Sequence, residues 1–503
     1  MKAEQFLKHH GLADDPFAQE DAGSDRVFLA RPAATKHPAW SKILGDPAAP
    51  GTAVVFGEKG SGKTALRHQI AAALHDHNLD AAGAGDGSRR VFVVHYDDFN
   101  PFLDSFRETL PGRHRAADKA LAKWRTVDHM DSVLALAVGR LVRAVLEAGG
   151  DREQDGPPVS LADLDRLDRR HKRDLLLLAA LYDYSLDDTT EGRFERLRAK
   201  LHLPMLLNQW DFWLGAAGTV LVLLIALSYG ALGNIGSWWY LAAVPITLLW
   251  APVSLRQLRL WRASRGVAKS VKVLDRRPGP LRRVLSRFGR RDLAGQPLPS
   301  GDATDVRYEL LVKLQNVLKR LGFGGTLVLM DRVDEPHLIN GSPERMKAFL
   351  WPLLDNKFLR HPGLGFKLLR PSEVRRFLDR EDREFYERSR LDKQNMVPGL
   401  EWTGEALYDV AEDRLRACAK EGRVVSVTDL FDDGIGREEL TRLFARLRVP
   451  RHLFKFLYRL IVEHCGKYPT ENPKWTVGRE TLDTTLTVFL RDLDAFDRGM
   501  GTG

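Results

Sequence analysis

The sequence predicts an α/β fold: a core built on a parallel sheet, interrupted by a helical insert and a two-helix transmembrane hairpin, and closed by a C-terminal helical lid. Three observations predict it. Short β-prone apolar runs at 52–56 (TAVVF), 90–96 (RVFVVHY) and 326–330 (TLVLM) are separated by segments of helical periodicity, the order that builds a parallel sheet. The first run enters a glycine-rich loop and the last ends in a cluster of acids. Between them lies a run from 212 to 255 without a single charged residue. At 503 residues, 44% hydrophobic and 28% charged, the chain is not a disordered, collagenous or disulfide-stapled one. Its two cysteines, Cys418 and Cys465, have neither zinc-site nor framework spacing, which fits a reducing compartment.

The loop after the first strand reads Gly57-Glu58-Lys59-Gly60-Ser61-Gly62-Lys63-Thr64, a complete G-x-x-x-x-G-K-[ST]. Glycines let the backbone wrap a phosphate chain with its N–H groups turned inward. The helix that follows, through Ala65, Leu66, Ile70, Ala73 and Leu74, presents its positive end to the anion. Lys63 reaches the β- and γ-phosphates and the Thr64 hydroxyl binds Mg²⁺. Together these residues, with Ala65, form the predicted ATP site of a P-loop NTPase core.

The next strand ends in Asp97-Asp98, read as a solvated strand end. Residues 124–147 and 161–184 are helical in pattern, with a loop at 149–158 between them. The hydrophobic run follows. A hydrocarbon core about 30 Å thick needs roughly 20 apolar residues in a helix. Residues 212–232 and 238–255 then read as two spans joined by the turn 233–237. Arg193, Arg196, Arg198 and Lys200 precede the hairpin, and Arg256, Arg259, Arg262 and Arg265 follow it. By the positive-inside rule both flanks, and with them the core and both termini, are cytoplasmic. Trp210, Trp213, Trp238, Trp239 and Trp250 suit the membrane interfaces.

The chain's net charge of +9 is local. Thirteen Lys/Arg and two Asp fall between residues 256 and 292, so the rest of the chain is close to neutral. Beside a membrane helix, that stretch is expected to meet anionic lipid headgroups in preference to nucleic acid.

The acidic cluster is Asp331-Arg332-Val333-Asp334-Glu335. A carboxylate at a strand end beside the phosphate loop holds the Mg²⁺ shell, which makes Asp331 the metal candidate. Asp334 and Glu335 both qualify as the acid that orients or deprotonates the attacking water. Arg332 stands where the simplest form of the motif has a glutamate.

Residues 365–369 (GFKLL) predict a strand beside this motif, ending at Arg370 and Ser372, candidates to sense the γ-phosphate. Arg388 and Arg390 are candidates for an arginine finger. Leucines and phenylalanines from 407 to 460 recur at helical spacing, and Pro450-Arg451 opens a helix. The histidines show no metal spacing, and His9-His10 are expected in solvent.

A phosphate loop, a two-helix membrane insertion and then an hhhhD-x-x-D-E motif resemble the KAP family of P-loop NTPases and, more broadly, STAND-type signalling ATPases. The resemblance is specific at Gly57–Thr64, at Asp331–Glu335 and in the placement of the hairpin between them. It implies Mg²⁺-dependent ATP hydrolysis and assembly into a homo-oligomer or with a membrane partner protein. Arg451 resembles the sensor arginine that lids of AAA-type ATPases aim at phosphate. The opening Gly11–Phe17 (GLADDPF) is similar to that of ExeA-like AAA ATPases.

The expected organisation is an N-terminal segment (1–49), first core half (50–120), helical insert (121–205), hairpin (206–256), basic juxtamembrane linker (257–303), second core half (304–398) and lid (399–503). The expected function is a slow, membrane-anchored ATPase switch for signalling, assembly or phage defence. The alternatives are a motor or loader ATPase for secretion or envelope assembly, and a weakly hydrolysing membrane scaffold. The absence of an N/T-K-x-D guanine-reading motif favours adenine.

Overall fold

In a computed structural model, residues 1–30, 35–83, 89–149, 159–185, 189–203, 210–230 and 238–497 are described. The β-branched run at the first strand forms β1 (Ala53–Gly57), buried at every position. The other strands are β2 (Arg90–Tyr96), β3 (Phe323–Met330), β4 (Leu364–Pro371) and β5 (Asn395–Val397), in the sheet order β2-β3-β4-β1-β5. β1 pairs in parallel with β4, Val55 opposite Leu369 and Gly57 opposite Pro371, and with β5 on its other side. Near-continuous apolar strands are what a parallel sheet covered on both faces requires. The three-residue β5 (NMV) is too short to give a periodic signal, and it is the strand that sequence reading misses.

The main helices are α1 (Lys63–Gly83), α2 (Thr126–Glu147), α3 (Arg169–Tyr182), α4 (Trp210–Gly230), α5 (Trp238–Ser270), α6 (Pro278–Ser286), α7 (Asp305–Arg320), α8 (Gly404–Cys418), α9 (Arg437–Ala445), α10 (Pro450–Lys467) and α11 (Arg479–Asp497). The chain divides into two compact units. One comprises residues 1–84, 327–347 and 354–503, the other 85–326 and 348–353.

In the first unit β4 separates β1 from the end of β3, so its carboxyl end lies between the phosphate loop and the acidic motif. The C-terminal helices pack their apolar faces into one cluster, built on Leu407, Leu415, Phe444, Leu453, Phe456 and Leu460. Phe6, Leu7, Leu12 and Phe17 of the N-terminal segment enter this same cluster, so residues 1–17 are structurally part of the lid. The N-terminal segment is pinned there by backbone bonds from Ala13 to the Cys418 carbonyl and from Lys420 to that of Gly11. His9 is exposed, as expected, and stacks on Trp475 with ring centroids 4.1 Å apart. The expectation of a solvated His10 is corrected: it is half-buried, and a ring nitrogen bonds the Trp475 carbonyl at 2.7 Å. Both cysteines are free and buried.

In the second unit α2, α3 and α7 bury Leu134, Leu141, Leu175–Leu178 and Leu314 against one another. The helix expected over 161–184 is two, because Asp168 caps a new start by accepting the His171 amide at 2.9 Å. α4 packs along α5. Gly215 and Gly218 face Trp250 and Leu249 so closely that a Cβ at 218 would stand 2.8 Å from a Leu249 methyl. The Trp250 indole donates to the Thr219 hydroxyl at 2.9 Å. Small residues that let two helices approach are the usual device for pairing them.

Among the described residues no helix is long and apolar enough to cross a membrane. The expected two-span hairpin is therefore not established by the fold, and its tip, 231–237, lies outside the described residues. Two findings differ from expectation nearby. α5 does not stop at Leu255 but continues unbroken to Ser270 and buries Leu260 and Val267, so the basic stretch opens as a helix. Several of its arginines face inward or pair: Arg276 is buried and donates to the Asp183 carbonyl, and Arg283 and Arg287 pair with Glu191 and Glu195.

Candidate functional site

The site lies within the first unit. The phosphate loop leaves β1 at Gly57 and enters α1 at Lys63. Gly60 and Gly62 take φ of +86° and +89°, where a side chain would be strained. At Gly60 space also decides: a Cβ there would stand 2.6 Å from that of Arg451. The Lys63 ammonium donates to the Gly57 and Glu58 carbonyls, each at 2.9 Å. Burial pulls its pKa down; Asp331, Asp334 and Glu373 oppose that shift and Arg451 adds to it.

The Thr64 hydroxyl donates to an Asp331 carboxylate oxygen at 3.0 Å, so the loop and the end of β3 meet where both were expected to hold Mg²⁺. Burial pushes the Asp331 carboxyl above its ordinary range, against the Arg332 amide, the Thr64 hydroxyl, Arg67 and Lys63. Among the described residues no group of three or more His, Cys, Asp or Glu gathers to hold a metal. A hydroxyl, one carboxylate and substrate phosphates are the donor set that suits Mg²⁺, which keeps several waters.

A cleft of about 360 Å³ opens over the loop, lined by Lys59–Leu66, Asp331, Arg332, Asp334, Glu335 and Arg451, among others. Asp334 acts on Lys63 electrostatically. Glu335 is more exposed and faces Arg332, whose guanidinium stands 3.6 Å from it. Burial raises the Glu335 carboxyl; Arg332 opposes this, while Asp334, Asp331 and Asp21 add to it.

Arg332 occupies the left-handed region, φ +59°, and its guanidinium reaches Gly23, where any Cβ would collide with it. Position 332 thus ties the acidic motif to the N-terminal segment. That segment is held in turn by Arg414 of α8, which pairs with Asp25 and donates to the Pro16 carbonyl.

The lid meets the loop at two carbonyls. Pro450 stands at the first turn of α10, and the next amide, of Arg451, donates to Gly60 O at 3.3 Å. The Trp402 indole donates to Ser61 O at 2.9 Å. The Arg451 Nε and the Ser61 hydroxyl are buried and have no hydrogen-bond partner. Both lie at the loop with hydrogen-bonding capacity that the described residues leave unused. Trp402, Arg414 and Asp25 carry no motif and only the fold brings them to the cleft.

Other candidates stand elsewhere. Arg370, at the end of β4, is fully buried, and none of its three guanidinium nitrogens has a partner. Burial alone brings its pKa down to about 9. It does not line the cleft. Ser372 lines a separate groove with Glu58, Arg375 and Arg448. Arg388 lies over the Phe385 ring, and Arg390 pairs with Asp392, so neither reaches the cleft. Asp97 and Asp98 belong to the second unit, where Asp98 accepts the Asn100 amide at 3.2 Å. No family model matches this chain, and neither a curated protein nor a solved structure matches it significantly.

Proposed function

We propose that the chain is a membrane-anchored P-loop ATPase of the KAP type that works as a slow nucleotide-dependent switch. The observation that carries this is the hydrogen bond from Thr64 to Asp331 beside the half-buried ammonium of Lys63, in a cleft that a lid arginine also lines. In this reading Gly57–Ala65 cradle the ATP phosphates and Lys63 neutralises the β- and γ-phosphoryl oxygens. Thr64 and Asp331 would hold Mg²⁺, which would supply positive charge against the charge that develops on the transferred group.

Asp334 is the preferred acid for the water because it faces Lys63, whereas Glu335 is engaged by Arg332. Water oxygen bonds to the γ-phosphorus as the bond to the bridging oxygen breaks. ADP leaves, and the water proton passes to Asp334. Arg451, which lines the cleft, stabilises the transferring phosphoryl group. An arginine where a glutamate favours rapid turnover points to a switch over a motor.

The membrane part of the reading rests on the surface of the α4–α5 pair. Trp213, Leu214, Val220, Leu221, Leu224 and Leu227 are exposed along one helix, and Val244, Leu248 and Leu255 along the other. So large a contiguous apolar surface belongs against lipid or a partner, not water. Phosphate release by the detergent-solubilised chain with Mg²⁺–ATP tests the enzyme, with oligomeric mass recorded in each nucleotide state. Slow release that Lys63→Ala abolishes, with a nucleotide-dependent mass, is expected. Absence of ATP binding overturns the reading. Flotation with phosphatidylcholine vesicles tests the anchor.

A further inference from the structure

Where the apolar half of α5 gives way to its arginines, the second unit contains a groove of about 580 Å³. Its long wall is α5, from Leu248 through Leu255 to Arg256 and Arg259. Its other wall is Phe288, Leu293 and Leu298. The lining contains two guanidinium groups and no carboxylate. Arg256 is partly committed, since it donates to the Ser286 and Phe288 carbonyls at 3.2 and 3.3 Å and thereby braces the far wall. Arg259 is exposed and forms no ion pair among the described residues. That distinguishes it from Arg283 and Arg287, which have glutamates.

We propose that this groove holds one anionic phospholipid, its phosphate between Arg256 and Arg259 and an acyl chain along Leu248–Leu255. The inference rests on the membrane reading above and adds a defined, stoichiometric site to it. Charge and shape select the occupant. From Leu248 to Arg259 the helix rises about 17 Å, close to one leaflet's share of a hydrocarbon core of about 30 Å. The apolar end is continuous with the exposed surface of the hairpin, Leu248 being 67% exposed, so a lipid enters from the bilayer without crossing water. The cationic end matches a phosphodiester, and a phosphatidylcholine headgroup would bring its own quaternary cation against two guanidinium groups.

The test uses the full-length chain in detergent, titrated with dioleoyl phosphatidylglycerol or dioleoyl phosphatidylcholine and read by native mass spectrometry. One phosphatidylglycerol per chain is expected, bound at least tenfold more tightly than phosphatidylcholine. Arg259→Gln is expected to remove that preference at an unchanged melting temperature, and Ala263→Phe, which fills the groove wall, to remove the bound lipid. Equal retention of the two lipids, or a preference untouched by Arg259→Gln, overturns the site. Displacement by millimolar inorganic phosphate also overturns it, in favour of a bare anion site. Flotation separates the two readings: a chain that inserts into phosphatidylcholine vesicles but shows no phosphatidylglycerol stoichiometry keeps its anchor and loses this site.

Discussion

Two fully buried arginines, one in each unit, meet opposite surroundings. In the second unit Arg307 is satisfied at every nitrogen. It donates twice to Asp131 at 3.1 Å, to the Ser270 hydroxyl at 2.8 Å and to the Gly301 and Ala303 carbonyls. Tyr182 completes the knot by donating to Asp131 at 2.6 Å. In the first unit the Arg370 guanidinium has no hydrogen-bond partner among the described residues. Burial of a charge is tolerated when hydrogen bonds replace the lost water, and is costly otherwise. The difference separates a cation that builds structure from one that no bond among the described residues compensates. Lys63 stands between them, half-buried and donating to its own loop's carbonyls.

The largest effect is expected where the network is complete. Arg307→Ala leaves Asp131 buried without its countercharge and should cost about 3–5 kcal/mol in urea unfolding. Replacing both partners together, as Arg307→Met with Asp131→Leu, should recover much of that loss. A single variant that costs nothing would show that the knot is ornamental, and the contrast between the units would collapse.

Lys63→Ala comes next. It should lower ATP turnover by roughly 10²–10³-fold, the scale of removing one preorganised cationic or hydrogen-bond donor from a developing anion. Stability should fall by only about 1 kcal/mol, the scale of the hydrogen bonds to the Gly57 and Glu58 carbonyls that the variant gives up. Arg370→Met sharpens the contrast further. An apolar side chain of similar length in a site that offers no partner should raise the unfolding midpoint. If Arg370 senses the γ-phosphate, turnover should fall about tenfold, roughly 1.4 kcal/mol, in the same protein. A stabilised variant with unchanged turnover would leave Arg370 as a misfit cation with no part in the site.

The contrast was only half visible beforehand. β1, β2 and α1 are readable because β-branched runs and a phosphate-loop spacing are local signals. Lys63, Thr64 and Asp331 are readable because their spacing to the strands is dictated by the phosphates. The membership of residues 1–17 in the lid was not, because Phe6, Leu12 and Phe17 find partners about 400 residues away. Nor was the role of Trp402, whose indole reaches Ser61 only once β5 and the lid are in place. Arg332 was visible as a departure, and its consequence, the tie to Gly23, depends on a left-handed backbone that the sequence does not announce. The basic stretch misled in part, since charge counted along a chain does not reveal that Arg276 is buried and that Glu191 and Glu195 neutralise two of its neighbours.

The smallest effect isolates one unsatisfied atom inside the well-satisfied unit. Asp128 lies three residues before Asp131 on α2. One of its carboxylate oxygens accepts the Arg125 amide at 2.9 Å and the other has no partner. Burial pushes this carboxyl up to about 7. The folded chain therefore keeps, between roughly pH 4 and 7, a proton that the unfolded chain has released. Stability from this group is fully present below pH 4 and is lost as pH rises through 7. Asp128→Asn retains an oxygen for the Arg125 amide and has no charge to bury. It should unfold at a higher urea concentration than wild type at pH 8 and match it more closely at pH 4. Asp131 and Arg307 are common to both proteins and cancel in the comparison. An equal difference at the two pH values would mean that the carboxyl is ionised throughout, so that even the second unit tolerates a half-satisfied charge.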